Sequence, residues 1–143
     1  MKKIGIGGDH AGFEYKEKLV QSLKSQGYEV KDFGPHSEES VDYPDYVHPI
    51  ANGLESGEFD FGVAVCGSGN GVCMTANKHA NVRAALVWNN DLAELGRLHN
   101  DANVVCIPAR FVDYDLAEQM VSTFLKTDFE GGRHQRRVDK IAK

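Results

Sequence analysis

Residues 61–71, Phe61-Gly62-Val63-Ala64-Val65-Cys66-Gly67-Ser68-Gly69-Asn70-Gly71, decide how the chain is read. Six apolar or small residues run without polar interruption and then break into three alternate glycines. A short apolar run bounded by turn residues fits a strand buried on both faces, the kind found in parallel sheets. The glycine turn hands that strand to a helix expected from about Val72 to His79.

The same unit recurs at the N-terminus, where Ile4–Gly7 reads as a strand entering GGDHAG and a helix over Phe13–Gln26, stopped by Gly27. Further strands are expected at Tyr28–Phe33, Arg83–Trp88 and Asn103–Pro108. Helices are expected at Tyr46–Leu54, Asp91–Leu98 and Asp113–Leu125, with a polar loop over Gly34–Asp45 and a helical tail from His134. Five strands separated by helices predict an α/β fold: one parallel sheet, helices on both faces, right-handed crossovers. Ligands of such sheets sit at the carboxyl ends of strands near a switch point, which directs attention to the two glycine turns.

The length, 143 residues, suits a single domain spanning 1–143, and 41% hydrophobic residues suffice for a core. No apolar run is long enough for a transmembrane helix, and the N-terminal apolar stretch is too short for a signal peptide, so a cytoplasmic protein is expected. Cys66, Cys73 and Cys106 are odd in number and lack CxxC spacing, against a disulfide framework or a zinc site. The net charge of −5 is uneven: residues 131–143 carry +4, leaving −9 on the first 130. An acidic body is a poor nucleic-acid binder, although the basic tail suits one small anion.

Alternate glycines expose consecutive backbone N–H groups, which at a helix start make an anion site. The bland alternative is a tight strand-to-helix connection. The loop matches neither GxxxxGK[ST] nor GxGxxG, and Asp32 supports a dinucleotide site only weakly. Cys66 stands immediately before the loop, where a helix start favours a thiolate, whereas Cys73 and Cys106 read as small buried hydrophobes. Asp9-His10 follows the first strand, where a residue either faces a ligand or caps the next helix. His99 in RLHND either acts on a ligand or caps a helix end. His36, His48 and His79 are expected on the surface without partners, and no HExxH or metal triad is spelled out. Arg133 and Arg137, four apart after Gly131-Gly132, share one helix face and suit a phosphate, or else form a solvated basic end.

Taken together, GGDHAG, Asp42-Tyr43-Pro44, CGSGNG, Ala76-Asn77-Lys78, Arg97–Asp101 and EGGRHQRRV at Glu130–Val138 resemble the ribose/galactose isomerase family, in particular its ribose-5-phosphate isomerase B branch, across essentially the whole chain. The resemblance implies a Rossmann-like three-layer domain, and a homodimer with shared active sites, with tetramers also open. It implies interconversion of ribose 5-phosphate and ribulose 5-phosphate, with allose 6-phosphate and galactose 6-phosphate as alternatives. By position, Cys66 matches the proton-shuttling base and Gly67, Ser68, Gly69, Asn70 and Gly71 the anion hole for the enediolate. Asp9, His10, Tyr43 and His99 match residues around the ring oxygen and hydroxyls, with His99 opening the furanose; Asn100, Arg110, Arg133 and Arg137 match substrate and phosphate contacts. Val72 stands where other members carry a glutamate, which places the chain with the cysteine subgroup. The chemistry calls for no redox or Lewis-acid step, so neither cofactor nor metal is expected. A nucleotide-binding module and a Cys66/His99 hydrolase remain the competing classes.

Overall fold

In the computed structural model, which describes residues 2–142, the expected elements alternate along the chain. Strands β1 (Lys3–Gly8), β2 (Glu29–Asp32), β3 (Phe61–Cys66), β4 (Ala84–Leu86) and β5 (Val104–Pro108) form one sheet, order β2-β1-β3-β5-β4, every pair parallel. Helices α1 (Phe13–Ser25), α2 (Pro44–Ser56), α3 (Asn70–Ala76), α4 (Asn90–Leu98) and α5 (Tyr114–Lys126) connect and cover it, and α6 (Arg133–Asp139) ends the fold.

Strand alternation splits the core in two. Ile4, Ile6, Val63, Val65, Val105 and Ile107 point to one face and pack with Leu19, Leu23, Ala93, Met120 and Phe124 of α1, α4 and α5. Ala64, Cys66, Val104 and Cys106 point to the other and pack with Val47, Ala51, Val72 and Ala76 of α2 and α3. Right-handed crossovers require this division, because α1 and α4 step one way along the sheet and α2 and α3 the other. The central strand β3 therefore sends its chain to the α3 layer, while its neighbours β1 and β5 send theirs to the α1–α5 layer. The three outgoing loops diverge, and a crevice opens above Cys66.

The departures from expectation lie at boundaries. Strands β2 and β4 sit at the sheet edges and are shorter than the expected Tyr28–Phe33 and Arg83–Trp88. Helix α2 starts at Pro44 rather than Tyr46, since proline's fixed φ fits a first helical turn. Helix α3 starts at Asn70 rather than Val72, because Gly69 takes a left-handed φ of 76° and caps it directly.

Candidate active site

At the carboxyl end of the sheet the loops leaving β1, β3 and β5 are tied to one another at their roots by backbone bonds before they part. The Asp9 amide donates to Val65 O (3.2 Å), Ala109 N to Cys66 O (2.8 Å) and Arg110 N to Gly67 O (3.0 Å). Between them lies a cavity of about 430 Å³ lined by Asp9, His10, Tyr43, Cys66, Gly67, Ser68, Gly71 and Arg110, with Ala11 and Phe111 at its rim.

Cys66 is 5% exposed, and its Sγ accepts a hydrogen bond from the Gly69 amide at 3.1 Å. That contact requires the loop to fold back over the sulfur, which the positive φ of Gly69 allows. The Ser68 hydroxyl accepts from the Asn70 amide at 3.2 Å and braces the same turn. Gly71 is a close-approach glycine: a Cβ there would run into the Tyr43 ring, so the ring lies flush against the helix start. Arg110 passes over Gly67, with its Cδ 3.2 Å from where a Cβ would stand.

Asp9 is buried and caps the turn that follows β1. Its Oδ1 accepts from the Ala11 and Gly12 amides at 3.0 and 3.2 Å, and it also borders the cavity. His10 Nδ1 accepts from the Val41 amide at 3.2 Å, so the neutral ring carries its proton on Nε2. Cys106 is fully buried, its thiol pushed well up by a hydrogen bond with Cys73 and by burial, which agrees with a packing role.

The remaining site residues are elsewhere in the chain. Asn70 lines a neighbouring apolar groove with Leu86, Trp88, Pro108 and Phe111. His99 caps the carboxyl end of α4, a helix that runs back from the carboxyl end of β4 to the start of β5. Nine helical residues span about 13 Å, so His99 stands roughly one sheet length from Cys66. Asp101 turns the chain directly after His99-Asn100 with a φ of 47°, and its carboxylate accepts from Arg97 Nη1 at 2.8 Å and lies 3.4 Å from Arg83 Nη2. Arg97 also donates to Thr127 O (3.0 Å), and Glu130 N donates to Leu98 O (3.1 Å), which lays the 127–132 segment across this end of α4. Gly131 and Gly132 then turn with φ of 72° and 56° into α6, which carries exposed Arg133 and Arg137 beside His99. His99, Asn100, Arg133 and Arg137 thus gather at the opposite pole from the cavity.

Two findings went unseen in the sequence. His48 and His79 are not isolated: His48 Nδ1 lies 2.8 Å from His79 Nε2, and His79 Nδ1 lies 2.7 Å from Glu55 Oε1. Partners 24 and 31 residues apart leave no local signal. His134, between the two arginines, turns inward and stacks on His99. Its place inside GGRHQRR was its only sequence mark.

Among the described residues, His99/Glu130/His134 and Glu17/Asp32/His36 each bring three metal-capable groups together. Neither is arranged as a ligand set. The His99 and His134 rings are parallel within 14°, so their in-plane lone pairs do not converge, and Asp32 is already paired with Lys16 Nζ at 2.7 Å.

A doubly wound sheet with a buried thiol beneath a loop amide, at the crevice flanking its central strand, marks an α/β enzyme acting on small polar ligands. The family model for Ribose/Galactose Isomerase matches residues 4–141, and the chain belongs to that family. It is 43% identical to ribose-5-phosphate isomerase B of Escherichia coli K12, over 99% of this chain and 95% of the relative. The crystal structure of a ribose 5-phosphate isomerase from Thermotoga maritima superposes with a TM-score of 0.96 at 48% identity, covering 99% and 97% of the two chains. The Mycoplasma genitalium ribose-5-phosphate isomerase B, solved with bound ribulose 5-phosphate, gives 0.93 at 43% identity, covering 97% and 93%.

Proposed function

We propose that the chain is a cytosolic single-domain isomerase that interconverts ribose 5-phosphate and ribulose 5-phosphate through an enediolate, in a homodimer whose two sites each draw on both copies. The observation that carries the reading is the cavity joining Cys66, its loop amides, Asp9, His10, Tyr43 and Arg110. The relatives named as ribose-5-phosphate isomerases, one holding ribulose 5-phosphate, support the substrate. The separation of His99, Asn100, Arg133 and Arg137 from that cavity supports the second copy, since one chain cannot bring both groups to one substrate.

Isomerisation first opens the furanose: the anomeric hydroxyl loses a proton and the ring oxygen gains one, the task assigned to His99. In the open chain Cys66, as thiolate, takes the proton from C2. The hydroxyl proton passes from O2 to O1, and Cys66 returns the first proton to C1, giving the ketose. Between those steps the oxygen charge meets N–H groups of the 67–71 loop other than those of Gly69 and Asn70, whose bonds to Cys66 Sγ and Ser68 Oγ hold the turn in shape. Asp9, His10 and Tyr43 hold hydroxyls and the ring oxygen. Asn100 positions the substrate, and Arg110, Arg133 and Arg137 hold the phosphate so that the reacting carbons stay over the sulfur.

Side-by-side assays on ribose 5-phosphate, allose 6-phosphate and galactose 6-phosphate test the reading. Ribose 5-phosphate is expected to give the highest kcat/KM. A higher value for a hexose phosphate overturns the substrate, and no turnover of any of the three overturns the class.

A further inference from the structure

His134 is 7% exposed and lies face to face with His99, ring centroids 4.2 Å apart and planes 14° from parallel. Its Nε2 is buried with no hydrogen-bond partner among the described residues, and Glu130 Oε1, at 3.9 Å, is beyond direct hydrogen-bond reach. An unpaired buried polar atom costs stability, and an apolar ring of the same shape would avoid that cost. The groups facing it are His99 from α4, Glu130 from the crossing segment, and Arg133 and Arg137 from its own helix. Burial, and then His99, hold its pKa below the ordinary imidazole value, with Glu130 opposing them and the two arginines adding to them. At neutral pH His134 is therefore a flat, uncharged plate.

We propose that His134 is a positioning residue for the isomerase reaction, stacking on His99 to fix the plane of that ring while leaving His99 as the one that exchanges the proton. This rests on the role given to His99 above. The His99 backbone amide is bonded to Leu95 O at 2.9 Å, which fixes the main chain but not the ring plane; the His134 ring lies along one face of that ring, with the Glu130 carboxylate close to both. Small misplacement of a group that must reach both a ring oxygen and a hydroxyl is costly, up to about 100-fold in rate for ~1 Å. The arrangement also links two halves of the task, because the same plate seats α6 and so fixes where Arg133 and Arg137 emerge.

The test compares His134→Leu, which fills the volume without a flat face, with His134→Phe, which restores the flat face without nitrogen. Both are checked for the parent's near-ultraviolet circular dichroism and elution volume. With ribose 5-phosphate, His134→Leu is expected to lower kcat by about 10- to 100-fold, and His134→Phe to recover most of the loss. Solvent deuterium exchange into open-chain ribulose 5-phosphate, which does not need ring opening, should change far less in either variant. Parental kcat in His134→Leu, equal impairment in both variants, or exchange falling in step with turnover overturns the proposal. His99→Asn is run alongside: if it retains parental turnover, the role of His99 fails and this inference with it, whereas a His99→Asn loss beside a normal His134→Leu overturns this inference alone.

Discussion

The two poles of the sheet carry chemistry assembled in different ways. At the carboxyl pole, Cys66, Asp9 and Arg110 are each placed within two residues of a strand end, and the strands are locked to one another by a continuous ladder. At the opposite pole, His99 and the two arginines are placed by a helix end, a crossing segment and a short helix after two glycines. The first group is set by backbone pairing. The second is set by side chains: the Arg97 guanidinium bonded to Asp101, Ala102 O and Thr127 O, and the His99–His134 stack. On the proposed reading, the carboxyl pole holds a sugar carbon against Cys66 and the opposite pole brings His99 and the arginines, so each proposed site takes one pole from each of two copies.

The largest expected effect isolates the carboxyl pole. Cys66→Ala removes the proposed base while leaving a small apolar side chain in the α2–α3 layer, so kcat should fall by about 10²–10⁴-fold with substrate still bound. Isothermal calorimetry with ribose 5-phosphate alongside turnover checks both parts, and near-normal turnover removes Cys66 from the mechanism. The next experiment joins the poles. Cys66→Ala and His99→Asn protomers, each nearly inactive alone, are mixed under conditions that exchange subunits. Half the dimers are then mixed and each holds one intact site, so roughly a quarter of the parent activity should return. No recovery despite demonstrated exchange means each site is built within one chain.

A smaller effect separates binding from chemistry at the second pole. On the proposed reading Arg137→Ala loses a charge-assisted bond to phosphate, about 1.5–3 kcal/mol, and should raise KM for ribose 5-phosphate by one to two powers of ten. Unphosphorylated ribose should be affected far less; equal loss on both sugars means that Arg137 holds structure instead. The smallest effect is on stability. The folded-state pKa of His134 lies below its ordinary 6.5, so in the window between the two values the unfolded chain binds the extra proton. Stability should therefore be fully present above pH 6.5 and decline as pH falls through that window. In His134→Phe this part of the decline should be missing, and thermal melts from pH 8 to 5 that superpose for parent and variant would contradict it.

Much of this molecule was legible along the chain. Apolar strands ending in glycine turns marked the α/β fold, because burial on both faces leaves an uninterrupted apolar run. The same turns pointed to Cys66 and Asp9-His10, because strand ends carry both the fold signal and the site. Pro44 and Gly69 moved the starts of α2 and α3, as cap geometry depends on φ values that composition only hints at. The His48–His79–Glu55 chain and the His99–His134 stack were invisible, since contacts between residues 24 to 35 apart have no period. By itself the sequence determined the alternation of strands and helices, the identity of the chemical groups and their family. Only the tertiary structure decided that those groups divide between opposite ends of the sheet, because strand order and crossover hand set which end of each helix returns to which pole.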